Sequence, residues 1–263
     1  MHPETTMITD EQLLRYSRHI LLDKLDIAGQ EAILAARALV IGAGGLAHPA
    51  LTYLVSSGVG HITVVDNDSI EISNLQRQYW FSDQDIGEAK ARVLCRQLQA
   101  HHPHAQLQPV VARADASLLQ QQVQHVDIVL DCTDNFASRR LINQVCFNAR
   151  KPLVSASALV FAGQLAVYDF RDGHGPCYQC LFEKEMNDEG SSCAKNGVFA
   201  PLLGIMGAAQ ASEALQVIAG IHPSGCWLHC FDAHHFQWQR LQLAANPDCP
   251  VCGQTALSTK PCG

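Results

Sequence analysis

Residues 38–66 read ALVIGAGGLAHPALTYLVSSGVGHITVVD, and this stretch decides the predicted fold. The apolar run Ala38–Ile41 predicts a strand that leads straight into a glycine turn, and a helix-like segment follows to about Ser57. A second run, His61–Asp66, predicts a strand that ends in an acidic residue. Strand, glycine turn, helix and strand together indicate a βαβ unit.

Strands and helices continue to alternate beyond this unit. The patterns predict a helix near 87–101, a strand near 106–112, a helix near 115–124, a strand over Val126–Asp131 and a helix from about Phe136 to Ala149. Such alternation is typical of a parallel sheet with helices on both faces.

The pattern changes after Pro152. Strands are predicted in LVSAS, GQLAVYDF, WLHCF and FQWQRLQL, residues 153–157, 163–170, 227–231 and 236–243, with one long helix at about 201–219. We therefore predict an α/β fold, a Rossmann-like and mostly parallel sheet with helices on both faces, extended by antiparallel strands and a four-cysteine zinc site. Near the start of the chain, Thr9 and Gln12 have the spacing of a capping box, which predicts a helix over about 9–23.

Composition narrows the class of protein. The chain has 263 residues, 48% of them hydrophobic and 16% charged, which is ordinary for one compact globular unit. Its net charge of −7 offers no basic surface for nucleic acid or an anionic membrane. The first residues, MHPETTMITDEQLLRYSR, lack the layout of a signal peptide, and no apolar stretch reaches the roughly 20 residues that span a bilayer. We expect a cytoplasmic protein.

The glycine turn suggests a nucleotide site. Gly42, Gly44 and Gly45 would let backbone amides approach phosphates at a helix N-terminus, and Asp66 has the spacing of a ribose-binding acid. Glycines at strand ends also form plain tight turns, and a nicotinamide-dependent oxidoreductase would use the same turn and acid. The turn alone therefore does not identify the nucleotide.

Polar residues farther along the chain favour ATP. Asn74, Arg77, Lys90 and Asp134 follow predicted strands or begin helices. ATP needs cations against its phosphates and a carboxylate for Mg²⁺, whereas a nicotinamide cofactor needs no metal. Each residue also has an ordinary alternative: solvated charge for Arg77 and Lys90, a turn former for Asn74 and a helix N-cap for Asp134.

Four of the eleven cysteines form two Cys-x-x-Cys pairs. Thiolates from Cys177, Cys180, Cys249 and Cys252 would complete a tetrahedral Zn²⁺ site with no open position, so its role would be structural. A redox pair would not require the second pair. Cys193 lies in a polar loop after the first pair, where an incidental thiol and a reactive thiol are equally compatible with the sequence.

Several motifs together resemble the ThiF/MoeB family of sulfur-carrier adenylyltransferases, bacterial relatives of ubiquitin-activating enzymes. They are RYSR (15–18), GAGGL (42–46), SNLQRQ (73–78), DCTDN (131–135) and the paired cysteine knuckles. The resemblance runs from about residue 8 to Gly253, and RYSRHILLD together with the loop cysteine is closer to the thiamin-type members. It departs from many relatives at Ala47-His48-Pro49, where alanine is tolerated and His48 is interpreted as incidental.

The resemblance implies a role for each matching residue. Gly42, Gly44 and Gly45 line the nucleotide, Asp66 binds ribose, Asn74, Arg77 and Lys90 contact phosphates, Asp134 positions Mg²⁺, Arg18 reaches the phosphates of the neighbouring subunit of a homodimer, and Cys193 joins the carrier covalently.

The resemblance also implies an organisation and a reaction. The chain would be one adenylation domain over 1–263, with a nucleotide-binding half at about 37–156, a zinc and carrier-binding half at about 157–253 and a flexible tail at about 254–263. It would adenylate the C-terminal Gly-Gly carboxylate of a ubiquitin-like sulfur carrier, ThiS-like. The acyl-adenylate would then pass to an external persulfide donor, or Cys193 would take part in the sulfur step. Alternatives are a MoaD-like carrier, a peptide substrate, or the oxidoreductase class.

Overall fold

The computed structural model describes residues 8–182 and 196–253. Its first elements are three helices, α1 (Asp10–Arg15), α2 (Ser17–Ile20) and α3 (Asp26–Ala35). The single helix predicted over 9–23 is therefore wrong, although the Thr9–Gln12 capping box is present. The chain breaks at Tyr16, whose ring packs against the α-carbon of Gly58, where a Cβ would come within 2.6 Å of it.

A parallel sheet forms the first half of the molecule. Its elements are β1 (Arg37–Ile41), α4 (Ala47–Ser56), β2 (His61–Val65), α5 (Lys90–His101), β3 (Gln106–Val110), α6 (Ala116–Val123), β4 (Ile128–Asp131), α7 (Phe136–Ala149) and β5 (Leu153–Leu159). The strand order β3-β2-β1-β4-β5 is parallel throughout. The order reverses between β1 and β4, which opens a crevice at their carboxyl ends.

Antiparallel strands extend this sheet on the β5 side. They are β6 (Ala162–Tyr168), β7 (Trp227–Asp232) and β8 (Gln237–Gln242). The described residues of this half also form the short helix α8 (Tyr178–Leu181) and the long helix α9 (Ala200–Ile218). Each new strand pairs antiparallel with its predecessor, in the order β5-β6-β7-β8. The predicted fold class is confirmed.

Two hydrophobic cores lie on the two faces of the sheet, because alternate strand residues point in opposite directions. Val40 of β1 joins the core that contains α3, α4, α5 and α9. Its neighbours Leu39 and Ile41 join the core that contains α6, α7 and the cysteine knuckles. Within the described ranges, no helix has the length and apolar character needed to cross a bilayer.

Candidate functional site

A cavity of about 940 Å³ lies at the carboxyl ends of β1, β2 and β4. Eight residues predicted from the sequence to handle the nucleotide line it: Gly42, Gly44, Gly45, Asp66, Asn74, Arg77, Lys90 and Asp134. A volume of this size accommodates a nucleoside triphosphate. The structure thus gathers into one cavity residues that are spread over 93 positions of sequence, from Gly42 to Asp134.

The glycine loop follows β1 and has little room for side chains. Gly42 has φ of +97°, and a Cβ there would lie 2.8 Å from the carbonyl oxygen of Cys132. At Gly45 a Cβ would lie 2.7 Å from the Leu203 side chain. Gly42 excludes a side chain, and a side chain at Gly45 would require Leu203 to shift, so the loop backbone forms the cavity wall.

Asp66 holds this loop through hydrogen bonds to its two carboxylate oxygens. One carboxylate oxygen accepts the backbone N–H of Ala43 at 2.7 Å, and the other accepts the N–H of Asp68 at 2.7 Å. Burial raises the pKa of Asp66 above its ordinary value, while the two N–H donors and the Lys90 charge oppose this shift. Each oxygen keeps a second lone pair for a further donor.

Lys90 begins α5 and is held in place at both ends. Its backbone N–H donates to the carbonyl of Asp68 at 3.0 Å, and its ammonium contacts the Asp68 carboxylate at 2.9 Å. The Lys90 side chain is only 10% exposed, whereas that of Asp68 is 58% exposed. An ammonium has three N–H donors, so the Asp68 contact leaves capacity for another anion.

Asn74 and Arg77 lie on the segment after β2. The buried amide of Asn74 accepts the N–H of Glu71 at 3.0 Å and closes a short 3₁₀ turn. The half-buried Arg77 donates from Nη1 to the carbonyl of Ser73 at 2.8 Å. The Asn74 amide oxygen is therefore occupied by the local turn, while four further N–H groups of the Arg77 guanidinium can face the cavity.

The loop after β4 carries Asp134 and rests on a buried carboxylate. Asp131 is fully buried and accepts the N–H of Thr133 at 3.0 Å, the Thr133 hydroxyl at 2.7 Å and the Ser155 hydroxyl at 2.9 Å. Gln210 of α9 bridges the carbonyls of Asp131 and Val154. Asp134 is exposed at the cavity.

Two buried residues, Arg139 and His48, make contacts that were not identified from the sequence. The buried guanidinium of Arg139 donates to the carbonyl of Thr133 and lines the cavity. His48, interpreted as incidental, is fully buried; its Nδ1 accepts the N–H of Trp80 at 3.1 Å, and its ring packs edge-on against Phe81. The side-chain type of neither residue reveals these contacts, which depend on tertiary packing.

The four predicted metal ligands come together. The sulfurs of Cys177, Cys180, Cys249 and Cys252 all lie within 4.8 Å of one another, which is a group that can hold a metal ion. Asn143 of α7 tests the fit, because its Nδ2 is buried, has no hydrogen-bond partner in the described part of the chain and faces the Cys177 sulfur. A metal-bound thiolate would supply the acceptor that this N–H group lacks.

Arg18, Cys193 and the tail complete the set of predicted features. Arg18 is exposed on α2 and is not among the cavity's lining residues. Cys193 and the tail predicted to be flexible, 254–263, lie outside the described residues.

Comparisons with known proteins agree with the motifs. The ThiF family model matches residues 16–251. The molybdopterin-synthase adenylyltransferase of Escherichia coli K12 is 41% identical over 248 residues, which are 94% of this chain and 99% of that protein. The sulfur carrier protein ThiS adenylyltransferase of the same organism is 40% identical over 246 residues, 94% of this chain and 97% of that protein.

A solved structure supports the fold independently. Escherichia coli MccB with ATP superimposes with a TM-score of 0.77 at 24% identity, over 91% of this chain and 74% of that chain. The names of the relatives confirm the predicted enzyme class, an adenylyltransferase. The family model matches most of the chain, and two relatives are 41% and 40% identical to it over nearly their full length. This chain therefore belongs to the ThiF family.

Proposed function

We propose that this chain uses ATP to adenylate the C-terminal carboxylate of a ubiquitin-like sulfur-carrier protein. The observation that carries the proposal is the single cavity in which the glycine loop, Asp66, Arg77, Lys90 and Asp134 converge. It supplies backbone amides and cations for a triphosphate and acids for ribose and a metal ion. The relative whose name gives the sulfur carrier protein ThiS as its substrate aligns with nearly the whole chain.

The proposed reaction is an in-line displacement. A carboxylate oxygen of the carrier attacks the α-phosphorus, the bond from that phosphorus to the bridging oxygen breaks, and pyrophosphate leaves with the electron pair. No general base is needed, since a terminal carboxylate is already ionised at neutral pH. Catalysis then depends on the orientation of the reactants and on Arg77 and Lys90, which stabilise negative charge on the phosphates in the transition state.

Two metal ions belong to the proposal. Asp134 is the proposed Mg²⁺ ligand, and bound Mg²⁺ would neutralise phosphate charge. The four cysteines would hold one structural Zn²⁺ and tie the chain after β8 to the knuckle at α8. The reducing cytoplasm predicted from the sequence keeps such thiolates available for metal.

The carrier surface we propose adjoins the cavity. Phe161 and Phe199 are 40% and 44% exposed, and their rings lie 5.1 Å apart beside Val198, which lines the cavity. Exposed aromatic residues at this position suit the body of a folded carrier whose flexible C-terminus enters the cavity. A short peptide substrate would not need this surface.

The finer assignments also remain proposals. We propose one adenylation domain over the whole chain, a homodimer in which Arg18 completes the partner's site, and sulfur transfer through Cys193 or an external persulfide donor. The thiamin-type carrier, ThiS-like, is our first choice from the RYSRHILLD segment and Cys193. Identities of 41% and 40% to the two pathway enzymes favour neither, so a MoaD-like carrier is the second candidate.

The test is ATP–pyrophosphate exchange by the purified protein with Mg²⁺ and each carrier. We expect exchange only with one carrier, and its loss when the terminal glycine of that carrier is deleted. Exchange with a short peptide and indifference to both carriers would contradict the proposal and favour a peptide-modifying enzyme.

A further inference from the structure

One face of α7 connects the cysteine cluster to the cavity. Arg139 and Asn143 lie four residues apart, so they share this face one turn from each other. Arg139 donates to the carbonyl of Thr133 in the cavity loop. Asn143 accepts, through Oδ1, the backbone N–H of Tyr178 inside the first cysteine knuckle at 2.9 Å. Both side chains are buried, with exposures of 9% and 0%.

On the cysteine side, Asn143 does more than hold the knuckle backbone. Its Nδ2 faces the sulfur of Cys177 and has no hydrogen-bond partner within the described ranges. A buried donor without an acceptor is costly, and a thiolate coordinated to a metal is an acceptor. A metal-bound sulfur at Cys177 would give the Asn143 amide a stronger acceptor than a free thiol does.

On the cavity side, Arg139 provides a second link from α7 to the first cysteine knuckle. The hydroxyl of Tyr178 is buried, has no hydrogen-bond partner in the described residues and faces the Arg139 guanidinium. Arg139 in turn fixes Thr133, which is also bonded to Asp131, and Asp134 follows directly. Movement of the knuckle would therefore displace the guanidinium and the loop that carries Asp134.

We propose that Arg139 and Asn143 are positioning residues that couple metal occupancy of the four-cysteine site to nucleotide affinity in the cavity. The inference rests on the proposed function in that it takes the metal to be Zn²⁺ and the nucleotide to be ATP. Coupling between two sites is reciprocal, so each ligand strengthens the other by the same factor. The metal site then does more than stabilise the fold, because metal occupancy changes the nucleotide affinity of the cavity.

The experiment measures zinc affinity by competition with a chromophoric chelator, with and without saturating MgATP. We expect MgATP to tighten zinc binding about tenfold, within the range usual for coupled sites. A calibration without protein corrects for zinc bound by ATP itself. Nucleotide binding is followed in the same samples by equilibrium dialysis.

Variants then locate the coupling. Asn143→Ala should reduce the coupling factor to near one, whereas Asn148→Ala, the same change at an exposed position of α7, should retain it. Tyr178→Phe removes the hydroxyl that faces the Arg139 guanidinium and keeps the ring, and we expect it to weaken the coupling severalfold.

The outcomes separate this inference from the proposed function. If MgATP binds and zinc affinity does not change, or if the coupling is the same in every variant, the positioning roles of Arg139 and Asn143 are overturned. If MgATP does not bind to the zinc-loaded protein at all, the proposed function fails, and the coupling fails with it.

Discussion

At the level of single residues, Asp66 combines a structural contact with the glycine loop and a predicted contact with ribose. Its two carboxylate oxygens hold the glycine loop through Ala43 and the following turn through Asp68. The ribose-binding role predicted from spacing would use the remaining lone pairs. Loop position and ribose recognition would then depend on the same carboxylate.

Arg77 gives the most direct residue-level prediction. Arg77→Ala should lower carrier-dependent ATP–pyrophosphate exchange by about a hundredfold or more, the usual cost of removing one donor that stabilises transition-state charge. Arg92→Ala, at an exposed position of α5 outside the cavity lining, is the control and should retain exchange. Near-normal exchange in Arg77→Ala would show that this guanidinium does not contact the reacting phosphates.

His48 gives a prediction about pH. Burial lowers its pKa to about 3, with the Lys90 charge acting in the same direction and a contact with the Ala43 backbone opposing it. In the unfolded chain the pKa is about 6.5, so the unfolded state alone gains this proton between pH 6.5 and 3. The contribution of neutral His48 to stability is therefore complete above pH 6.5 and declines by about 1.4 kcal/mol per unit below it.

His48→Asn removes this titration and keeps an acceptor for the Trp80 N–H group. Between pH 7 and 5, the free energy of unfolding of this variant should fall by about 2 kcal/mol less than that of the unsubstituted protein. Urea unfolding at both pH values measures the difference. Equal decreases would mean that the pKa of His48 is the same in the folded and unfolded states.

The sequence pointed to some residues of the cavity and the cysteine cluster and missed others. Glycines, Asp66 and the cysteine pairs have a required spacing along the chain, so their positions are recognisable from the sequence alone. Arg139 and His48 act through contacts with Thr133 and Trp80, and nothing in the local sequence indicates those partners. Asn74 was predicted from its motif, yet its buried amide also closes a turn.

At the level of elements, the packing of α9 on α4 determines where the glycine loop lies. Gly207 of α9 touches the first turn of α4, and a Cβ there would lie 2.3 Å from the carbonyl oxygen of Leu46 and 2.4 Å from Pro49. Neither the backbone nor the proline ring can yield without moving α4. The start of α4 follows directly from the glycine loop.

Gly207→Ala should therefore destabilise the protein by about 1–3 kcal/mol, the typical cost of overpacking, and weaken ATP binding. Gly204→Ala is the matched control on the same helix, since no atom lies within 4 Å of a Cβ there. It should be neutral or stabilising by up to about 1 kcal/mol, because alanine favours helix more than glycine does. Urea unfolding distinguishes the two, and equal effects would contradict this account of the interface.

The elements that were predicted well are those in which apolar residues repeat with a clear helical or strand periodicity. Residues 136–149 form the helix that the pattern predicted, and the four later strands lie where alternation indicated them. The N-terminal region was not predicted well, because the apolar spacing from residue 9 continues across the break at Tyr16. The helix α3 was missed, since its sequence DIAGQEAILA contains Gly29 and lacks a clear apolar stripe.

For the whole molecule, the cysteine cluster joins distant parts of the chain. Cys177 and Cys249 are 72 positions apart, and a bound metal would close that loop. Closing a loop of this length removes roughly 4 kcal/mol of chain entropy from the unfolded state while the metal stays bound. Cys249→Ser should reduce zinc content from one ion per chain to none and lower the melting temperature.

Cys230→Ser is the control for that variant. Cys230 lies half-buried on β7 and is not part of the cluster, so zinc content should stay at one ion per chain. Zinc is measured by atomic emission and melting by circular dichroism. Full zinc content in Cys249→Ser would contradict the four-cysteine ligand set.

The overall topology followed from the sequence more completely than the site did. Alternating strands and helices imply a parallel sheet, and the loss of alternation after Pro152 implies the antiparallel extension. The order of strands places the glycine loop and the β4 loop at one edge by geometry alone. The connection of this edge to the cysteine cluster through α7 depends on side-chain contacts, which hydrophobic periodicity does not indicate.

The central claim is that the chain forms an acyl-adenylate on a sulfur carrier, and intact mass spectrometry of the carrier tests it most directly. After incubation with the enzyme, ATP and Mg²⁺, with pyrophosphatase present to draw the reaction forward, the carrier should gain the mass of one adenylyl group at its C-terminus. Arg77→Ala should greatly reduce that product. An unmodified carrier in the presence of enzyme that binds ATP and contains zinc would contradict the account.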